Sequence, residues 1–125
     1  MAKHNELGKQ GEELARKFLE ENGYVILHQN WRCLKAEVDL IAMHNEELVV
    51  VEVKTRSTDY FGAPDDAVGK HKQKMLSNAA DAFIQQQNLL CEVRFDIISI
   101  TFVQNHPRIN HIKDAFYPYS SELDD

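Results

Sequence analysis

At 125 residues the chain has the length of one domain, enough for a core without disulfides or a structural metal. A hydrophobic fraction of 43% beside 27% charged residues is that of a water-soluble globular protein, and no apolar run approaches the ~18–20 residues that span a bilayer. The net charge of -6 argues at first sight against a nucleic-acid partner, since phosphate affinity comes mostly from lysine and arginine.

That objection weakens on inspection. Glu122, Asp124 and Asp125 sit in an acidic tail, residues 120–125, and other acids belong to a cluster whose local sign a bound cation would reverse. The opening MAKHNELGKQGEE has no apolar signal-peptide segment, and Cys33 and Cys91 form neither a disulfide framework nor a zinc spacing. A cytoplasmic location with no membrane contact is the resulting expectation.

In chain order, residues 5–22 have the period of an amphipathic helix, with Asn5 as N-cap, Gly23 just past the end and Leu7, Leu14, Ala15 and Phe18 on one stripe. Glu12 lies beside that stripe, near Leu19, so it can reach inward. Gly8 and Gly11 weaken the helix and point to close approach by another element. Strands follow at 24–31, 36–43 and 47–56, then a turn-rich loop, STDYFGAPDD. Helical spacing resumes over 67–87, with Val68, Met75, Leu76, Ala79 and Phe83 on one stripe and Lys72 inside it. A lysine there either snorkels out or faces an anion. CEVRFDIISITFV, 91–103, reads as a central strand that is apolar on both faces over IISI, reached by a crossover and so parallel to the third strand. Pro107 ends that strand, and 108–116 is predicted as a short edge strand.

The stretch that carries chemistry is AEVDLIAMHNEELVVVEVKTR, 36–56. With Asn45 and Glu46 at the turn, antiparallel register sets Asp39 opposite Glu52 and Glu37 opposite Lys54. Opposed carboxylates destabilise a sheet unless something neutralises them, and a divalent cation does so. On this reasoning alone, Asp39→Ala is expected to raise stability in chelator. Asp39 followed by Glu52-Val53-Lys54 has the form D…ExK: two carboxylates for Mg²⁺ and an ammonium for the attacking water. A hairpin with a solvated charged face explains the local pattern equally well.

The blocks GKQGEELA, NWRC, AEVDLIA, VVVEVKTR, FGAP and DAVGKHKQKML, in this order, resemble the YraN-like family of predicted endonucleases, within the PD-(D/E)xK restriction-endonuclease-like superfamily. The likeness covers Leu7 to about Phe116. It implies metal ligation by Asp39, Glu52 and the Val53 carbonyl, with Lys54 as the catalytic lysine. Glu12 resembles the helix acid that archaeal Holliday-junction resolvases add to the metal site, and Glu37 matches an acid paired with Lys54. Lys72 and Gln73 correspond to helix residues facing the scissile phosphate. Ala36 and Val38 depart from the family's glycine and the superfamily's proline without removing a ligand.

Arg32 and Arg56 are further candidates for phosphate contact, and Trp31 and Tyr60 for stacking, although core packing is the commoner fate of a lone aromatic. The histidines show no ligand spacing beyond a weak His106/His111 pair. The expectation is therefore an α/β domain over residues 1–119, with a central mixed sheet of about five strands flanked by two helices, α-β-β-β-α-β-β. Its expected reaction is Mg²⁺- or Mn²⁺-dependent hydrolysis of DNA phosphodiesters, structure-selective by the resolvase likeness. A homodimer is compatible with a junction cutter, though no residue pattern shows one. The competing reading is a catalytically silent module of the same fold that binds nucleic acid or a protein partner.

Overall fold

The computed structural model describes residues 2–33, 35–57 and 68–117, the side chains of 2–5 excepted. The loop containing Tyr60 and the acidic tail lie outside the described residues. The elements are α1 (Ala2–Glu21), β1 (Val25–Cys33), β2 (Ala36–His44), β3 (Glu47–Ser57), α2 (Lys70–Gln87), β4 (Glu92–Val103) and β5 (His106–Phe116). They form one five-stranded sheet in the order β1-β2-β3-β4-β5, with β3 and β4 parallel and every other pair antiparallel. The architecture is the mixed α/β arrangement expected from the periodicities.

Period-2 alternation in β3 and β4 builds two cores. Leu48, Val50, Phe95 and Ile97 face α2, where Leu76, Ala79, Ala80 and Phe83 meet them. Val49, Val51, Ile98 and Ile100 face α1 and pack on Ala15 and Leu19. From their wheel positions Glu12 and Lys72 are expected to point toward one sheet face; the helices instead cover opposite faces, so the two side chains approach from opposite sides. A wheel gives direction relative to its own helix axis only.

Local chemistry sets the element ends. Gly23, at φ +87, lets the chain leave α1, and the Tyr24 N–H bonds Leu19 O at 2.9 Å. Asn88, at φ 55, caps α2, and Leu89 N reaches Ile84 O at 3.0 Å. Asn45 and Glu46 form a two-residue turn with positive φ at both positions, closing on the pair His44↔Glu47 as predicted. Gln104 and Asn105 repeat the device between β4 and β5, with φ 50 and 66. That turn, and not Pro107, ends β4. Pro107 sits inside β5 opposite Phe102, on an edge strand where its missing N–H is tolerated.

The two helix glycines separate cleanly. A Cβ on Gly11 would run into Thr55 Oγ1 and stand 3.0 Å from Thr55 Cβ, whereas one on Gly8 meets nothing within 4 Å. Gly11 therefore sets the approach of α1 to β3, one residue before Glu12. Gly11→Ala is expected to lower stability by about 1–2 kcal/mol despite the better helix propensity of alanine, and Thr55→Ala in the same chain should recover part of it. Gly8→Ala should raise stability by up to ~1 kcal/mol. Thermal melts of the three variants read both effects.

Candidate metal centre

The β2–β3 ladder runs from His44↔Glu47 to Leu40↔Val51, and continuing that register sets Asp39 against Glu52, as the turn dictated. Here the backbone pairing gives way to a side chain: the Val53 N–H donates to Asp39 Oδ2 at 2.8 Å. On the other side of β2, Asn30 stands opposite Asp39, between the pairs Gln29↔Leu40 and Trp31↔Val38, and takes φ 51. The irregularity interrupts strict alternation, for Val38 and Ile41, three residues apart, both join the α2-side core. The strands are thus distorted where the first acid of the motif stands.

Glu52 is 8% exposed, on the face shared with Leu48 and Val50. Its Oε2 receives the Lys72 ammonium at 2.9 Å, while its Oε1 is buried without a hydrogen-bond partner. Burial first, then the Glu52 carboxylate and more weakly Glu12, push the Asp39 carboxyl up to about 7, against the pull of the Val53 N–H. Burial alone would lower the Lys72 pKa; the contact with Glu52 and the more distant Asp39 and Glu37 carboxylates outweigh it, and the group stays above its ordinary value. A raised Asp39 carboxyl beside a Glu52 oxygen without a partner makes a centre short of positive charge.

The remaining predicted residues divide. Lys54 follows Glu52 on the same face of β3, partly buried, and Arg56 continues that row. Glu12 is partly buried on α1 and acts on Asp39 through its charge. Glu37 is exposed and accepts Arg32 Nε at 2.8 Å, so this acid and the predicted phosphate contact Arg32 form an ion pair at the rim. Gln73 donates its amide to Val68 O at 2.7 Å and fastens the entry to α2. Trp31 is buried edge-on against Phe83 and is core. Among the described residues no three His, Cys, Asp or Glu side chains converge as a ready ligand set. The fold brings together Asp39 and Glu52, with the Val53 N–H on Asp39 and the Glu12 charge acting on it. The orphaned Glu52 oxygen and the raised Asp39 carboxyl fit a hard divalent cation.

A second polar cluster escaped the sequence reading, which took the 91–103 run as apolar at its centre. Asp96, its side chain fully buried, accepts Arg94 Nε at 2.9 Å and Nη2 at 2.8 Å, His111 Nε2 at 2.7 Å and the Asp114 N–H at 3.0 Å. Arg94 also reaches the Tyr24 hydroxyl at 2.6 Å and Glu47 at 3.4 Å. Burial would raise the Asp96 carboxyl; the bonds from His111, Arg94 and Asp114 overcome it and hold it at about 2. Every one of those Asp96 contacts is internal, so the cluster is a clasp between β4, β5 and the α1–β1 junction. The signal was legible as Arg-x-Asp, two charges on one face directly before an apolar run.

The family described as "Uncharacterised protein family UPF0102" matches residues 11–100, the span from the Gly11 contact through β4. The chain belongs to this family. It is 50% identical over 118 residues to a UPF0102 protein of Bacteroides thetaiotaomicron, covering 94% of this chain and 98% of that one. A UPF0102 protein of Flavobacterium psychrophilum is 45% identical over 119 residues, 95% of this chain and 100% of the relative. UPF0102 membership agrees with the likeness carried by the GKQGEELA, AEVDLIA and VVVEVKTR blocks. Among the described residues no helix is long and apolar enough to cross a membrane.

Proposed function

We propose that this UPF0102 protein is a divalent-metal-dependent endonuclease that hydrolyses phosphodiester bonds of DNA. The carrying observation is the pairing of a partly buried Asp39 with a buried Glu52 at a sheet distortion, with a Glu52 oxygen left unpartnered and Lys54 next on the same strand face. Asp39, Glu52, the Val53 carbonyl and Glu12 would hold Mg²⁺ or Mn²⁺. Such an ion, when bound, neutralises the carboxylates and stabilises charge on the phosphate in the transition state. Lys54 orients the attacking water and offers its ammonium to the negative charge that grows as the water oxygen bonds to phosphorus and the P–O bond to the leaving strand's sugar oxygen breaks, the water giving a proton to solvent and the leaving oxygen taking one from it. Burial of Glu52 under α2 keeps competing water from its carboxylate. Structure-selective cleavage of branched DNA is the finer form of this reading and rests on the resolvase likeness.

Cleavage of branched and linear DNA in Mg²⁺ and in Mn²⁺ tests it. Glu52→Gln is expected to lower the rate on the order of a hundredfold, as loss of a charge that organises the transition state does. Equal products from both proteins would sink the assignment. The second reading, a silent module that binds nucleic acid or protein, is favoured by the acidic balance, net charge -6, and by the ammonium already seated on Glu52. DNA binding without cleavage in either metal would decide for it.

A further inference from the structure

We propose that Lys72 is an exchangeable counter-ion: it and a divalent cation compete for Glu52, and the lysine displaced from Glu52 passes to a substrate phosphate, so that metal and DNA bind with positive coupling through one side chain. The inference rests on the endonuclease reading above and adds to it a route by which the centre senses substrate.

Three observations carry it. Lys72 Nζ lies 2.9 Å from Glu52 Oε2, on the same carboxylate whose Oε1 lacks a partner, so one carboxylate serves two demands for positive charge. The lysine side chain is 48% exposed while the glutamate's is 11% exposed. Lys72 can therefore swing into solvent on its four-carbon stem at little cost, whereas Glu52 is fixed. The third observation is where Lys72 stands. α2 opens Lys70-His71-Lys72-Gln73-Lys74, with no acid in its first turn and no side-chain cap at Gly69. Cations are disfavoured at a helix N-terminus by the aligned peptide dipoles, which favour an anion there. A phosphate at that terminus answers the field, and Lys72, half exposed and 2.9 Å from Glu52, can reach it.

The charge balance gives the direction of coupling. With a divalent ion between Asp39 and Glu52, the attraction that holds Lys72 on Glu52 is largely cancelled, and the freed ammonium strengthens the pull on a phosphate. Reciprocally, DNA that engages Lys72 removes the metal's competitor, so the two ligands must favour each other by one and the same factor.

The test uses the full chain. Mn²⁺ affinity, read as free Mn²⁺ by electron paramagnetic resonance, is compared for wild type, Lys72→Met, Lys72→Arg and Glu52→Gln. Lys72→Met is expected to bind Mn²⁺ about two- to fivefold more tightly than wild type, the range for loss of a half-exposed ion pair. Lys72→Arg keeps the charge and should stay near wild type, and Glu52→Gln should lose most of the affinity. DNA binding by fluorescence anisotropy supplies the second reading. In EDTA, Lys72→Met should match wild type within twofold, because Glu52 holds the lysine. With Ca²⁺ present, wild type should gain DNA affinity and Lys72→Met should lose most of that gain. Unchanged or weaker Mn²⁺ binding by Lys72→Met, with Glu52→Gln still defective, overturns the exchange and leaves the endonuclease reading standing. Absence of Mn²⁺ binding in wild type, or binding indifferent to Glu52→Gln, overturns both.

Discussion

Asp96→Asn is expected to destabilise the fold by about 3–5 kcal/mol, the cost of leaving a buried charge without its partner, and to lower the melting temperature by more than about 10 °C. The asparagine oxygen can still accept Arg94 Nε and the Asp114 N–H, but an NH2 group would face Arg94 Nη2 and His111, and Arg94, with 14% of its side chain exposed, would lose its charged partner. The pH dependence has a definite sign. The Asp96 carboxyl titrates at about 2 in the fold against 3.8 ordinarily, so its contribution is complete above about pH 4 and is lost as pH falls from there toward 2. The gap in unfolding free energy between wild type and Asp96→Asn should therefore shrink as pH falls below about 4. Urea melts at a series of pH values measure it. A gap under about 1 kcal/mol at pH 7 would show that the clasp does not hold β4 and β5 together. Replacing Arg94 and Asp96 together by Met and Leu should cost less than Asp96→Asn, because no charge is then stranded.

The clasp also shows where sequence reasoning stopped. Arg94 and Asp96 sit in a run dominated by Phe95, Ile97, Ile98 and Ile100, and a period count registers the hydrophobic majority. What makes the charges tolerable is tertiary: His111, fifteen residues on, and Tyr24, seventy residues back, come to them only when β5 and the α1–β1 junction are in place. No local window contains those partners. Pro107 misled for the opposite reason, since it breaks a strand interior but not an edge, and edge position is a property of the finished sheet.

At the candidate site the legible part was local. The Asn45–Glu46 turn fixed the register, and E-x-K spacing put Glu52 and Lys54 on one face. Lys72 inside an apolar stripe left snorkelling and an anion as equal readings, and the structure sets its ammonium on Glu52 with the stem half exposed. Gly11 announced a close neighbour, and it is Thr55; Gly8 announced one that is not there. Two features lay beyond reach. The distortion at Asp39 depends on Asn30 across the sheet as well as on Val53, and the placement of α1 and α2 on opposite faces depends on the crossover path. The centre is assembled from both sides of the sheet: Glu12 acts from the α1 side, Lys72 from the α2 side, and Asp39 lies where the ladder between them is distorted.

That placement sharpens the stability test of the acid pair. In EDTA at pH 8, Asp39→Asn is expected to melt about 5–10 °C above wild type, on the order of 2–3 kcal/mol from no longer burying the Asp39 charge and from relief of its repulsion by Glu52. Alanine, the choice from sequence alone, would strand the Val53 N–H that Asp39 now accepts at 2.8 Å, whereas an asparagine oxygen keeps it. Burial and Glu52 raise the Asp39 carboxyl from 3.8 to about 7, so the folded chain holds a proton that the unfolded chain has lost. Wild type without metal therefore loses stability as pH rises from about 4 to about 7 and no further above it, and Asp39→Asn lacks this component. The advantage of the variant should grow across that window and level off. Saturating Mn²⁺ should reverse the order, because a ligand bound only by the native state adds about 4.1 kcal/mol at a thousand times its Kd, and only wild type keeps both carboxylates. Calorimetric titrations below pH 7 in buffers of different ionisation enthalpy should show proton release on Mn²⁺ binding, since the ion must displace the proton from Asp39. Asp39→Asn melting below wild type in EDTA at pH 8 would mean that the two carboxylates do not oppose each other, and the case for a cation between them would lose its physical ground.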